Sequence, residues 1–512
     1  MSERVHKSLL NAKVNLLFYF LALFLSFFSR KIFLDCLGAE FIGLTGTLMN
    51  ILGYLNLAEL GIGSCISFFL YKPLQAGNRQ ETQEILSVFG YLYRLIGYII
   101  LAGGLVVSLF FPIIFRNETL SMGIIYFAFF AFLGSSLTSY FINYRQVLLS
   151  ADQKGYMVAI YLKSANLVKT IIQILLAWYY QNLYVWVAIE LVFSILGCIV
   201  LNWKIDREYP WLETDKRQGR SLLKKYPGII KNTRQIFVHQ IKDFLLMRSD
   251  ELFVFAFVSL KMVAYYGNYT LIISRTGQMF SAILDSIGAG VGNLIAEGNR
   301  THIMRIFWEL MTIRHTIAAF LCFAIFHFIE PFISLWLGAE YILDREILIL
   351  MTVYIYISTS RGVVDMFNHA HGLYGDTWSA WAELALNVSV TIVAGYLWGI
   401  AGILLGKILS TLPIIVFWKP YYLFTSGLHV GYGDYWRGAI RNFGVSAVSI
   451  GVAHVLLGLV TIEADANVLS WMLYCTIGLA IYLPVNAGLT LACCHGAKDS
   501  VDRVKNKVKW KK

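Results

Sequence analysis

Apolar runs of about 20 residues recur along almost the whole chain, and this alone removes most folds from consideration. A run of that length crosses the hydrocarbon core of a bilayer as a helix, which satisfies its own backbone groups where no water can. The runs fall near 14–35, 42–70, 87–114, 120–144, 156–179, 183–202, 236–259, 263–295, 304–328, 345–368, 378–397, 400–418, 439–460 and 468–492, about fourteen in all. They are continuous and do not alternate, so a transmembrane β-barrel is excluded. Composition agrees, with 58% hydrophobic and 14% charged residues, where a soluble domain carries about 25% charged residues. The expected fold is an all-α polytopic membrane protein of about 14 transmembrane helices.

Charge placement gives an expected topology. One set of connections carries Arg4, Lys7 and Lys13, Lys72 and Arg79, Arg145 and Lys154, nine Lys/Arg from Lys204 to Arg234, Arg300 and Arg305, Lys419, Arg437 and the tail KDSVDRVKNKVKWKK. The alternate connections are short, carry Arg116, Lys261 and Arg345, and turn acidic at Glu463 and Asp465. By the positive-inside rule both termini are cytoplasmic. The net charge of +11 is thereby a property of topology and does not point to nucleic acid. The N-terminal MSERVHKSLLNAK leads straight into a full-length span with no small-residue cleavage site, so a retained first helix is expected. Seven cysteines lie in or beside apolar runs without a CxxC pair and suggest neither disulfides nor a metal site.

The second run is unusual. In FIGLTGTLMNILGYLNLAELGIGSCISFFLYKPLQAGNRQETQE (41–84), Glu59 interrupts an apolar span near its middle, just before Gly61 and Gly63. A carboxylate at that depth costs about 2.5–3.5 kcal/mol on insertion scales, so it faces protein or water. Either it is a packing site bonded to a neighbour or it serves function. The stretch also returns. Ala76-Gly77-Asn78-Arg79 is echoed by Glu297-Gly298-Asn299-Arg300, Ile42-Gly43 by Tyr266-Gly267, and Asp152 by Asp376, at offsets of 221 to 224 residues. That is six spans, an even number, so the halves share orientation as a parallel repeat. Glu59 then corresponds to Asp285, each just before glycines in the second helix of its half. Leu37-Gly38-Ala39-Glu40 also matches Leu337-Gly338-Ala339-Glu340, but out of register, and is taken as chance. The resulting organisation is two pseudo-symmetric six-helix lobes, 1–203 and 236–424, joined by a basic linker at 204–235 expected to lie on anionic headgroups. An accessory helix pair with a basic cytoplasmic tail occupies 425–512.

Charges inside the spans mark the candidate site. The seventh run, IFVHQIKDFLLMRSDELFVFAFVSL, places His239, Asp243 and Asp250 within about 40° of one another on a helix, with Arg248 roughly opposite His239. Such a helix lines an aqueous lumen or is wrapped by others, although His239, Lys242 and Asp243 also fit snorkelling at the interface. Arg30, Lys163, Lys169, Arg275 and Arg361 are further intramembrane cations. Arg361 and Asp365 are four apart on one helix and fit an ion pair. Lys169, near mid-span, needs water, an anion or a carboxylate such as Glu190. No DxD, HExxH or P-loop occurs, His369 and His371 have no partner, and Gly431–Asp434 lacks strand–helix context.

LAELGIGSCISFFLYKPL with its polar turn, SRKIFLDCLGAEFIGLTGTLMNIL before it, and two six-span lobes with two extra spans resemble the polysaccharide flippases of bacteria, which handle O-antigen, capsule or exopolysaccharide repeat units. These form a branch of the multidrug/oligosaccharidyl-lipid/polysaccharide exporter superfamily. The resemblance implies a transporter and no enzyme, moving undecaprenyl-pyrophosphate-linked oligosaccharide between leaflets by alternating access. It implies a basic central cavity, a lipid-tail groove from the last two spans, and polysaccharide polymerase machinery as a partner. No cofactor is implied beyond a coupling cation, Na+ or H+. Two lobes already make a cavity, so a monomer suffices. On this reading Arg30, Lys169, Arg248, Arg275 and Arg361 bind the anionic substrate, while Glu59, Asp243, Asp250 and Asp285 serve coupling or gating. Two alternatives are an ion-coupled multidrug antiporter, which favours an acidic cavity, and a membrane polymerase or ligase, which calls for a sizeable outward loop.

Overall fold

The computed structural model describes residues 3–499 except 60, 216, 286–290, 292–293, 296–297, 374 and 495; the side chains of 3–9, 12, 58, 64, 235–236, 238–240, 242–248 and 281–285 also lie outside the described set. Regular structure among the described residues is helical throughout, and ten helices are long and apolar enough to cross a membrane. The count of about fourteen is not reached on these criteria, for local reasons. The second run is broken, the seventh lies in a helix rich in charge, the eighth runs into residues outside the described set, and the eleventh and twelfth merge in one continuous assignment, Thr377–Gly427. Apolar side chains such as Phe24, Leu109 and Leu469 are exposed on the outer faces of the helices, as lipid contact requires.

The chain forms two compact units, Met1–Ala264 and Tyr265–Lys512. The first holds α1 (Glu3–Leu37), α2 (Ala39–Leu55), α3 (Ile62–Ala76), α4 (Arg79–Ser108), α5 (Met122–Phe141), α6 (Gln146–Ala151), α7 (Ser164–Tyr180), α8 (Leu183–Glu208), α9 (Gly219–Lys225) and α10 (Pro227–Phe257). Helix α10, counted with the second half by the sequence repeat, packs against α2 and α3. The Asn50 amide donates to Glu251 at 2.5 Å across that contact. A Cβ at Gly43 would run into the Leu260 carbonyl, so the glycine opening α2 permits close backbone approach.

The 204–235 connection is anchored within the first unit. Its segment docks on α4: the Asp215 amide donates to Ser87 Oγ at 3.1 Å, and Lys225 and the Tyr226 hydroxyl donate to Glu84 at 2.5 and 2.6 Å. The face of α9 that carries Gly219 leaves no room for a Cβ beside Ser87 and Tyr91.

The second unit contains most of α11 (Leu260–Asp285), then α12 (Arg300–Trp336), α13 (Arg345–Ser360), α14 (Gly362–Ala370), α15 (Thr377–Thr411), α16 (Tyr432–Leu457) and α17 (Val468–Cys493). Helices α16 and α17 pack on each other and on α12. In α15, Trp398 and Gly399 leave helical geometry, Gly399 at φ 56°, and the chain doubles back. The first unit makes the same turn between α7 and α8 with Gln181 at φ 49°. Exposed aromatics stand at both turns, Trp178, Tyr179 and Tyr180 at one and Tyr396 and Trp398 at the other, matching the interfacial preference of amphipathic rings.

The repeat signatures prove to be turn chemistry. Gly77 and Gly298 are left-handed, at φ 66° and 72°, where a residue without Cβ ends a helix at little cost. Asn78 and Asn299 then cap the next helix, each accepting at 3.1 Å from a backbone amide, of Glu81 and His302 respectively. Asp152 and Asp376 both latch to later segments of their own unit. Asp152 accepts from Tyr209 at 2.7 Å and pairs with Lys154 at 2.7 Å, and Lys154 also reaches Glu208 at 3.0 Å. Asp376 accepts from Lys419 at 2.8 Å, Trp418 at 3.0 Å and Ser379 at 3.1 Å. Burial alone would push the Asp376 carboxyl up, yet these three donors hold it below its ordinary value. The out-of-register LGAE pair is one device used twice, since Gly38 and Gly338 both take positive φ, 86° and 124°, before a helical turn.

Candidate functional site

Three polar features sit inside the apolar units. The first is the break in the second run. Helix α2 stops at Leu55, Asn56–Glu59 form a single 3-10 turn, and Gly61 at φ 86° starts α3. Glu59 is thereby placed between α4 and α5. It accepts from the Tyr140 hydroxyl at 2.6 Å and from the Tyr93 hydroxyl, whose rings lie 5.4 Å apart. Two phenols satisfying one carboxylate make a bolt across three helices. Neither tyrosine is marked by the sequence, because a tyrosine in an apolar helix has no spacing signature. Glu59→Gln keeps an acceptor for one hydroxyl and a donor for the other, so thermal unfolding in detergent should stay near wild type. Glu59→Leu orphans both hydroxyls and should cost about 1–3 kcal/mol for each. Transport lost in the Gln variant despite intact folding would show that the charge itself is used.

The second feature is a cavity of about 540 Å³ within the first unit, between α2, α5, α7 and α8. Lys169 and Glu190 line it and pair at 2.7 Å, their side chains 12% and 15% exposed. Gln173 donates to the other Glu190 oxygen at 3.2 Å. Of the three partners the sequence allowed for Lys169, the structure supplies the carboxylate.

The third is a cavity of about 510 Å³ in the second unit, walled by α12, α13, the Leu412–Trp418 segment and α16. Its lining is largely apolar, with Val353, Ile357, Leu412, Ile415 and Phe443 among it. Its polar groups include His315, hydrogen-bonded to Tyr356 at 2.7 Å, the hydroxyls of Thr352, Ser360 and Ser446, and Arg361 at the α13–α14 junction. Arg361 Nε stands 3.6 Å from Asp365, with both about one-third exposed. Arg314, buried in α12 and not singled out in the sequence, packs its guanidinium where Gly362 lacks a Cβ. A second unforeseen contact joins the accessory helix α16 to α12, His454 Nδ1 to His327 Nε2 at 3.2 Å.

The remaining candidates are scattered. Arg30 Nη2 donates to the Ala264 carbonyl at 2.9 Å. Asp250 is buried in α10, and Arg275 is half-buried on α11. The side chains of Asp243, Arg248 and Asp285 lie outside the described residues. No group of three or more metal-ligating side chains occurs among the described residues.

No protein-family profile matches the chain, and no curated relative does either. Solved structures do match. The lipid II flippase MurJ, in an inward closed conformation, aligns with a TM-score of 0.64 at 17% identity, covering 94% of this chain and 98% of that one. An inward-facing multidrug resistance MATE family transporter of the MOP superfamily aligns with a TM-score of 0.58 at 12% identity, covering 82% of this chain and 99% of that one. The described residues, helical throughout and with ten helices long and apolar enough to cross a membrane, carry the fold shared by these two transporter structures.

Proposed function

We propose that this chain is a flippase for a lipid-linked oligosaccharide carrying a diphosphate, working by alternating access in a bacterial cytoplasmic membrane. The observation that carries this reading is the cavity of the second unit. An apolar space of about 510 Å³ with an arginine at its edge suits an amphipathic lipid with an anionic head better than a hydrophilic cation. The accessory helix α16 forms one wall of it. The fold likeness points the same way, because the flippase match covers 94% of this chain and the multidrug match 82%. Cations on the described helices, Arg30, Arg275 and Arg361, are the groups we assign to the diphosphate, together with Arg248 from the sequence; Glu59, Asp243, Asp250 and Asp285 are proposed for coupling, with Na+ or H+ as the driving ion. Both termini cytoplasmic, a monomeric state and contact with polysaccharide polymerase machinery belong to the same proposal.

The test is reconstitution in liposomes with fluorescent undecaprenyl-pyrophosphate-oligosaccharide, following its exposure with and without an ion gradient. Protein-dependent exposure is expected. Arg275→Ala and Arg361→Ala should each slow it on the order of 10- to 100-fold, the worth of one charge-assisted contact, without loss of membrane insertion. Full activity in both variants removes the case for a cationic site. Absence of flipping together with ion-coupled efflux of a cationic dye makes the chain a multidrug antiporter.

A further inference from the structure

The cavity of the first unit is polar in a way that suits neither a diphosphate nor a cation. Its ammonium, Lys169, is cancelled by Glu190 at 2.7 Å, so an ion of either sign gains a partner there only by breaking that bond. What the wall offers instead is hydroxyl and amide groups from several sides: Asn56 from the broken helix, Ser135 and Ser139 from α5, Asn143 just beyond its end, Asn166 from α7 and Ser194 from α8. Among these, the side chains of Ser135, Ser139 and Asn166 have no hydrogen-bond partner among the described residues. The cavity's volume, about 540 Å³, falls within the range of small-ligand sites.

A near-neutral wall dense in groups that both donate and accept matches a ligand built of hydroxyls, each of which also donates and accepts. We infer that this cavity binds the sugar portion of the transported substrate. The inference rests on the flippase reading and names a saccharide subsite within it. Lys169 donates to and Glu190 accepts from sugar hydroxyls without parting, while the unspent serine and asparagine groups fix orientation.

The test uses the full-length protein in lipid nanodiscs and two probes followed by saturation-transfer NMR titration. One is the free oligosaccharide released by mild acid from the host cell's lipid-linked pool; the other is undecaprenyl pyrophosphate without sugar. The oligosaccharide should bind, and Ser139→Leu and Asn166→Leu should each weaken it at least tenfold while leaving the sugar-free lipid unaffected. Asn166 is exposed, so Asn166→Leu disturbs no core, and its unfolding temperature checks that the fold is retained. The intact lipid-linked form should displace the free oligosaccharide. Failure to displace it assigns the cavity to a free saccharide and overturns the link to the transported lipid. Sugar binding indifferent to both variants overturns the site. If the sugar-free lipid binds and the oligosaccharide does not, the subsite fails and the flippase reading stands; if neither binds, both fall.

Discussion

Lys169→Met should be among the most damaging single substitutions in the first unit, costing about 3 kcal/mol or more. The ammonium and the Glu190 carboxylate are both nearly buried, and the methionine would leave a carboxylate with only the Gln173 amide at 3.2 Å. An ionised group left inside the unit without its counter-ion loses hydration and its strongest partner together. The double variant Lys169→Met/Glu190→Gln removes both charges, keeps the length of both side chains, and should recover most of the loss, since a buried pair taken out whole is often nearly neutral. Thermal unfolding of the purified variants in one detergent measures both effects. A Lys169→Met protein as stable as wild type would mean that water already solvates Glu190 and that the cavity is wetter than its side-chain exposures imply.

Gly402→Val should be comparably severe for a different reason. The arms of α15 on either side of Gly399 meet backbone to backbone. A Cβ at Gly402 would run into the Ala394 carbonyl, and one at Gly406 into the Thr391 backbone. Small residues four apart are the usual means of bringing two membrane helices this close. The obstacle is main chain and has no rotamer to yield, so the arms must separate and lose their packing. A cost of about 3 kcal/mol is expected, the upper end for overpacking. Gly444→Val is the control, because nothing lies within 4 Å of the Cβ position there. The fraction of folded, monodisperse protein after extraction should fall for Gly402→Val and hold for Gly444→Val; equal yields would show that the hairpin tolerates separation.

How far the sequence revealed these features depends on whether the controlling interaction is local. Gly77-Asn78 and Gly298-Asn299 were legible because ending one helix and capping the next is decided within four residues. Lys169 was legible through its cost: a lone ammonium at mid-span demands a partner, and Glu190 lies one helix on. The break at Asn56–Glu59 was hidden inside an apolar run that reads as one helix, although Gly61 and Gly63 stood beside it. Tyr93, Tyr140 and Arg314 were not legible at all, since their roles come from packing between helices. The LGAE pair teaches the reverse, that two identical tetrapeptides need share only a turn and not a place in a repeat.

The bolt at Glu59 also bears on how the chain enters the membrane. Its two phenol partners lie 34 and 81 residues further along the chain. During synthesis the second apolar run therefore emerges with a break and an unsatisfied carboxylate, at a depth where each is costly. It can settle only after the helix bearing Tyr140 has been delivered beside it. Nascent chains arrested before Tyr140 should leave residues 42–70 open to aqueous labelling, and chains arrested well beyond it should protect them. The first four apolar runs would then enter the bilayer as one cooperative unit, with the fourth deciding when the second is home.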